Sequence, residues 1–236
     1  RGCANITVSR CLVLRSDHGI SFSGVHKGLI EECEVAFSYG DGINVVGDPS
    51  QKIPEFRYAD QVTVRRNYIH HHIYLEHPDN AQIYSGVRRF RFEDNVCLFG
   101  GQGMMTQECD TDLAMTGNVF FGHASNIFQG HTDSWNWALW GNLFGFSGWS
   151  RTSMPGQDYR CYENIIYGGS MGVCLQYQGD RNVVWMNGTG GNVITVSSNG
   201  AYGGGYSTLA AFAAATGQDQ HSVQADPQLA NVPLSQ

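Results

Sequence analysis

Charge is scarce in this chain. Only 15% of its 236 residues are Asp, Glu, Lys or Arg, against the roughly 25% usual for soluble domains. Just two of the 14 basic residues are lysines, Lys27 and Lys52, so chemistry built on a lysine base has almost nothing to work with. Those 14 face 21 acidic residues, a net charge of −7, which argues against a phosphate backbone as main partner, so nucleic acid is not expected. No apolar run approaches the ~18 residues of a membrane span, so no membrane partner is expected either. The seven cysteines contain no C-x-x-C pair, which disfavours a zinc ribbon or a thioredoxin-like centre. What is abundant is glycine, with 30 residues, and apolar side chains, at 42%. A turn-rich chain with enough apolar surface for one core is therefore expected, and a disordered one is not.

One pattern recurs: a short alternating strand, a small or amide residue, more apolar residues, a Gly-rich turn, and another short strand. It is carried by ITVSRCLVL, GLIEECEVAF, QVTVRRNYI, RFRFEDNVCLF, DLAMTGNVFF, NWALWGNLFGF, YRCYENIIY and NVVWMNG. The shared column reads Cys11, Cys33, Asn67, Asn95, Asn118, Asn142, Asn164 and Asn187, mostly 22 to 24 residues apart. A period of that length built from two-residue alternation, without 3.6-residue stripes, is one turn of a β-solenoid. Coils of such a solenoid stack about 4.8 Å apart. Inward asparagines can then hydrogen-bond from rung to rung, so the amide column reads as structural.

These phrases resemble the right-handed parallel β-helix superfamily, the pectate-lyase-like fold, over residues 5 to about 200, most clearly in ITVSRCLV … GISF, GLIEECEV … GINV and QVTVRRNYI … AQIY. The resemblance implies an all-β fold, a right-handed parallel β-helix of about eight coils over 1–206, followed over 207–236 by a capping helix and an extended tail. The Ala-rich segment 208–215, stopped by Gly217, is the expected helix. The chain is expected to be the C-terminal part of a longer one, secreted or periplasmic. A polysaccharide or oligosaccharide is its expected partner, and a monomer is expected over a trimer. The same scaffold hosts lyases, hydrolases, epimerases and non-catalytic tailspikes. The catalytic signatures of polygalacturonase-type hydrolases, pectate lyases and alginate epimerases are absent, so no catalytic residue is carried over from them.

Period-two alternation assigns the side chains. In the strand before each Asn, Val64, Phe92, Met115, Leu139, Cys161 and Val184 should point inward and Arg65, Glu93, Thr116, Trp140, Tyr162 and Trp185 outward, the last three forming an aromatic platform suited to sugar rings. In the second recurring strand, the expected wall of a substrate groove, Ile20, Ile43, Ala81, Met104, Ile127 and Val173 should face in. Ser21, Asn44, Gln82, Met105, Phe128 and Cys174 should then face out, as should Ser23, Val46, Tyr84, Gln107, Gly130 and Gln176. Asn44, Gln82, Tyr84, Gln107, Gln176, Tyr177, Trp149 and Arg151 are the expected substrate-binding residues. Two long insertions, GDPSQKIPEFRYAD and HHHIYLEHPD, flank the same rungs and should wall this groove.

Just before the groove strands, His18, Asp41 and Asp79 align on successive rungs. Carboxylates one strand spacing apart cannot ionise independently unless a cation such as Ca2+ binds between them, so Asp41 and Asp79 are candidates both for catalysis and as calcium ligands. His77, His131 and Glu108 complete the catalytic candidates. The run His70–His71–His72 cannot bind one ion with all three rings, because neighbours on a strand alternate sides. The expected activity is a polysaccharide lyase acting by β-elimination on an acidic glycan, with His77 or Tyr84 as base and His131 as acid. Alternatives are hydrolysis by paired carboxylates, epimerisation, and glycan binding without catalysis. Cys11 and Cys33 fall on neighbouring rungs at a separation compatible with a disulfide, with stacked free thiols the expected state.

Overall fold

A left-handed residue stands before each ladder position. Arg10, Glu32, Arg66, Asp94, Glu163 and Arg181 have φ between 52° and 58°, and Gly117 and Gly141 have φ of 67° and 61°. Each turns the chain through a corner and delivers the next residue into the interior. In this computed structural model, which describes residues 3–72, 78–108, 111–130, 135–147, 151–153, 157–174, 176–186, 191–198 and 201–229, repeating that corner winds the chain into a solenoid of three parallel sheets.

The first sheet contains Thr63–Arg65, Val87–Glu93, Thr111–Thr116, Trp135–Trp140, Gln157–Tyr162 and Gln178–Asp180. The second has eight strands, from Leu12–Leu14 to Val183–Trp185. The third runs through Ile20–Ser23, Ile43–Val46, Asp79–Tyr84, Gln102–Gln107, Phe128–Gly130, Arg151–Ser153, Ser170–Cys174 and Ile194–Ser198. Those eight strands number the coils one to eight. One antiparallel strand, Ala201–Tyr206, closes the third sheet. Parallel sheets with one face inside produce a continuous core: Val35, Ile43, Val64, Ile83, Phe92, Met104, Phe120 and Leu139 are all fully buried. Phe92, Phe120 and Phe144 stack along the axis at 5.9 and 5.6 Å, offset aromatic pairs that add to area burial.

The amide ladder has a direction. Asn67, Asn95, Asn118 and Asn142 each donate from Nδ2 to the Oδ1 of the next asparagine, at 2.9 to 3.0 Å, and the backbone N–H of each donates to the same oxygen. The eighth rung is Asn182, which accepts from the Asn164 backbone at 3.0 Å, so the expected Asn187 is corrected. Equal spacing pointed to Asn187, 23 residues after Asn164, but this coil is 18 residues long. The same slip misplaced its neighbours. Val184 is inward in the second sheet, aligned with Ile166, and Trp185 stacks on Tyr167 at 4.7 Å. Gly179 and Asp180 are the partners of Cys161 and Tyr162 in the first sheet.

A donor-to-acceptor chain needs an acceptor at its end. Asp219, 2% exposed, supplies it: its Oδ1 accepts from Asn182 Nδ2 at 2.9 Å and from Ser222 Oγ. The tail holding Asp219 forms a partial last coil, with Val223 bridging Val183. The helix Leu209–Thr216 precedes it. Thr208 caps its N-terminus through Ala211 N, Gly217 ends it at φ 74°, and Phe212 packs on Tyr177 and Tyr206. Cys11 and Cys33 are free, as are Cys3, Cys97 and Cys161.

Candidate active site

Gly40 and Gly42 bracket the first acidic residue, and each lies against something. A Cβ at Gly40 would stand 2.8 Å from the His18 ring, and one at Gly42 would stand 2.5 Å from His72 Nε2 and 2.8 Å from the Asn80 carbonyl. The missing side chains let His18 lie over coil two and let coil three approach beneath it. His18, Asp41 and Asp79 consequently sit side by side at the entry to the third sheet, as their spacing predicts. His18 Nδ1 is 3.8 Å from Asp41 Oδ2, with its side chain 52% exposed. Asp41 Oδ1 accepts from the Asp79 backbone N–H at 3.0 Å. Asn44 Nδ2 reaches Asp41 Oδ2 at 3.2 Å and Gln82 Oε1 at 3.1 Å. Asp41 is thus a nearly buried carboxylate held by amide donors, with an exposed imidazole at its mouth.

Asp79 lies behind it, with no exposed surface. Burial, and secondarily the Asp41 charge, pushes its carboxyl up to about 8, so it carries a proton at neutral pH. Deeper still, Asn80 Nδ2 donates to Ile69 O at 2.7 Å and Asn80 Oδ1 meets His123 Nε2 at 2.9 Å. Since Oδ1 can only accept, His123 is protonated on Nε2. His72 Nδ1 accepts from Ser38 N at 3.2 Å, which leaves the proton of that ring on Nε2. Burial holds both rings neutral, His72 down to about 4 and His123 to about 3. His72 thereby leaves the other two histidines of its run. His70 and His71 meet through their Nδ1 atoms at 2.7 Å on the second sheet, beside Glu34.

Tyr84, Gln107 and Glu108 gather at the far end of coils three and four, Tyr84 pairing with Gln107 and Glu108 exposed at the corner with φ 52°. Five residues of strand separate Tyr84 from Asp79, about 17 Å. Tyr84 and Glu108 therefore cannot act on the same atom as the Asp41 edge, though they can line the same groove. Three expectations are corrected here. Phe128, not Ile127, pairs with Met104, which puts Gln129 in the outward column after Met105. Met171 takes the column position assigned to Val173, which also faces in at 1% exposure two residues farther on, and Gln176 stands in a turn beyond the groove strand. Tyr177 is 5% exposed and packs on Phe212 under the helix, as a core residue. His77, His131 and Trp149 lie outside the described residues, as does the Arg151 side chain.

Calcium takes six to eight oxygen ligands, several of them anionic. The Asp41 edge offers two carboxyl groups, one of them enclosed and protonated, and among the described residues no group of three or more His, Cys, Asp or Glu is placed to hold a metal ion. The residues present do not fit the ion. The spacing argument missed His18 as a working group, although it placed it in the column. The available signal was Gly40, which reads as turn chemistry in sequence but leaves room for that ring.

A family model described as the right handed beta helix region matches residues 1–131. No curated protein matches the sequence. A solved structure of a pectate lyase, described as bearing on substrate specificity and an anti β-elimination mechanism, is similar at 12% identity and a TM-score of 0.35, over 92% of this chain and 62% of that one. The chain thus spans less than two thirds of that structure's length.

Proposed function

The chain belongs to the right-handed β-helix family, and on that premise we propose that it is a carbohydrate-active enzyme cleaving an acidic polysaccharide by β-elimination. The observation that carries the proposal is the His18–Asp41–Asp79 column: an exposed imidazole, a carboxylate behind it, and a buried protonated carboxyl behind that. His18 is the base. A uronate lying along coils one to four offers its C5 proton to the free nitrogen of His18, while Asp41 stabilises the imidazolium that forms. The C5–H pair becomes the C4–C5 double bond as the C4–O bond breaks. The His18 proton then passes to the departing oxygen, so the ring ends neutral. Asp79 touches no substrate and acts as a positioning residue: by staying protonated it keeps a second negative charge away from Asp41. Asn44, Gln82 and, farther along, Tyr84 and Gln107 offer hydrogen bonds to sugar hydroxyls. Secretion or export to a periplasm belongs to the same reading, since polymeric substrates of this class lie outside the cell.

Incubation with a panel of polyuronates, reading ultraviolet absorbance of unsaturated ends beside reducing ends, tests the idea. Wild-type protein should raise both signals together, and His18→Ala should lower the rate by at least 100-fold, in the range expected for loss of a general base. Reducing ends without absorbance would replace elimination by hydrolysis. Silence of both signals on every polymer would end the enzymatic reading. Hydrolysis finds support in the adjacency of Asp41 and Asp79, whose rung spacing suits a retaining pair. The enclosure of Asp79 counts against it.

A further inference from the structure

On another face of the tube, the first sheet presents Trp140 and Tyr162 in parallel register, flanked in the same column by Thr116 and Asp180. The two rings stand 5.0 Å apart with a 32° tilt, and Trp140 remains 43% exposed. An exposed indole ordinarily folds down onto the surface. This one is held upright: Nε1 donates to Glu163 Oε2 at 3.0 Å, and Glu163 is itself held by Arg181 at 3.0 Å. Fixing the ring in advance removes ordering entropy from any later binding step.

The corner beside the rings is bare. Its column carries Arg66, Asp94, Glu163 and Arg181 at φ 52° to 58°, so the left-handed turn alone does not demand glycine. Gly117 and Gly141 nevertheless occupy the two positions next to Thr116 and Trp140, and a Cβ at Gly141 would meet nothing within 4 Å. The result is a notch at Gly141 beside Trp140, whereas the space at Gly117 is taken by the Asp94 carboxylate.

We propose that this notch is a binding site for a neutral glycan, separate from the Asp41 edge and independent of any cleavage there. Tyr162 backs one face of Trp140, and the other face, next to the small Thr116, is left to pack the C–H groups of a pyranose ring. The surrounding charges select the ligand class. The carboxylates Glu93, Asp94, Asp112, Glu163 and Asp180 outnumber Arg91, Arg160 and Arg181 around the rings, and Arg160 is engaged by Asn136 Oδ1 at 2.7 Å. An excess of carboxylates gives an acidic polymer no electrostatic advantage. A wholly apolar partner would strip water from the arginines and carboxylates without replacing their hydrogen bonds, whereas sugar hydroxyls replace them.

Affinity electrophoresis in gels containing hydroxyethyl cellulose, xylan, galactomannan or polygalacturonate tests the site. At least one neutral polymer should retard the protein, and Trp140→Ala and Tyr162→Ala should each weaken retardation at least tenfold. Gly141→Asn should weaken it similarly while leaving the melting temperature near wild type, because the corner already accommodates side chains at this φ. His18→Ala should migrate as wild type, which separates this site from the catalytic proposal. Retardation by polygalacturonate alone, by none of the polymers, or undiminished in the three notch variants would overturn the assignment.

Discussion

At the residue scale, the working group of the candidate site depends on an atom that is absent. With Gly40 replaced by alanine, the new Cβ would lie within 2.9 Å of two atoms of the His18 ring, so the imidazole must swing away from Asp41. Since misplacement of a catalytic group by about 1 Å can cost on the order of 100-fold in rate, Gly40→Ala should lower turnover by about that much. The fold should lose little, because Gly40 does not occupy the left-handed region and the one backbone atom near the new Cβ, Asp17 O at 3.0 Å, needs to give by only a few tenths of an ångström. Turnover compared with urea-unfolding midpoints for the same variant checks both halves of the expectation. The placement of His18 was legible in sequence as a column position, because residues one coil apart must be neighbours. Its role was not, because sequence weights Asp79 as heavily as His18. Only burial separates an enclosed, protonated carboxyl from an exposed ring that substrate can reach.

At the element scale, the asparagine ladder makes a polarity claim that can be measured. Asn118 receives two bonds on its Oδ1 from Asn95 and donates to Phe92 O and Asn142 Oδ1. Asn118→Asp keeps the acceptor but removes both donations and sets two oxygens face to face inside the core, at about 1–3 kcal/mol for each buried group left unsatisfied. Asp219→Asn, at the end of the same ladder, keeps the oxygen that Asn182 and Ser222 use. Urea denaturation should therefore show Asn118→Asp destabilised by about 3 kcal/mol or more and Asp219→Asn by less than about 1 kcal/mol. Equal losses would mean that the ladder has no direction. The ladder itself was readable from the recurrence of Asn67, Asn95, Asn118, Asn142 and Asn164. Its last member was not, because a coil that shortens from 22 residues to 18 breaks the only ruler sequence provides. The one-residue slip at Phe128 has a different origin. Ile127 and Phe128 are both buried, at 2% and 0%, so period-two reasoning has no polar residue with which to choose a phase.

At the scale of the whole molecule, three buried titratable groups stacked behind the site shape its stability. Burial raises the Asp79 carboxyl from its ordinary value of 3.8 to about 8. The folded chain therefore holds a proton that the unfolded chain has released between pH 4 and 8, and this contribution is lost as pH rises through 8. His72 and His123 run the other way, lowered from 6.5 to about 4 and about 3. The unfolded chain binds two protons that the folded one refuses, so their contribution is lost as pH falls below 6.5. Between pH 4 and 6.5 the two histidines outweigh the single carboxyl, and stability falls with acidification by about one proton, roughly 1.4 kcal/mol per pH unit. Between 6.5 and 8 only Asp79 titrates, and stability falls by a similar slope as pH rises. Melting temperature should therefore peak near pH 6.5. Asp79→Asn should flatten the limb between pH 6.5 and 8 and steepen the acid limb from about one proton to about two, because the carboxyl no longer offsets the histidines, and His123→Gln should reduce the acid limb without touching the other. The buried thiols and Tyr177, whose ionisation burial pushes upward, act above this window. A scan of melting temperature against pH for wild type and the two variants isolates the three groups, and an unchanged upper limb in Asp79→Asn would remove the protonated carboxyl on which the proposed role of Asp79 depends.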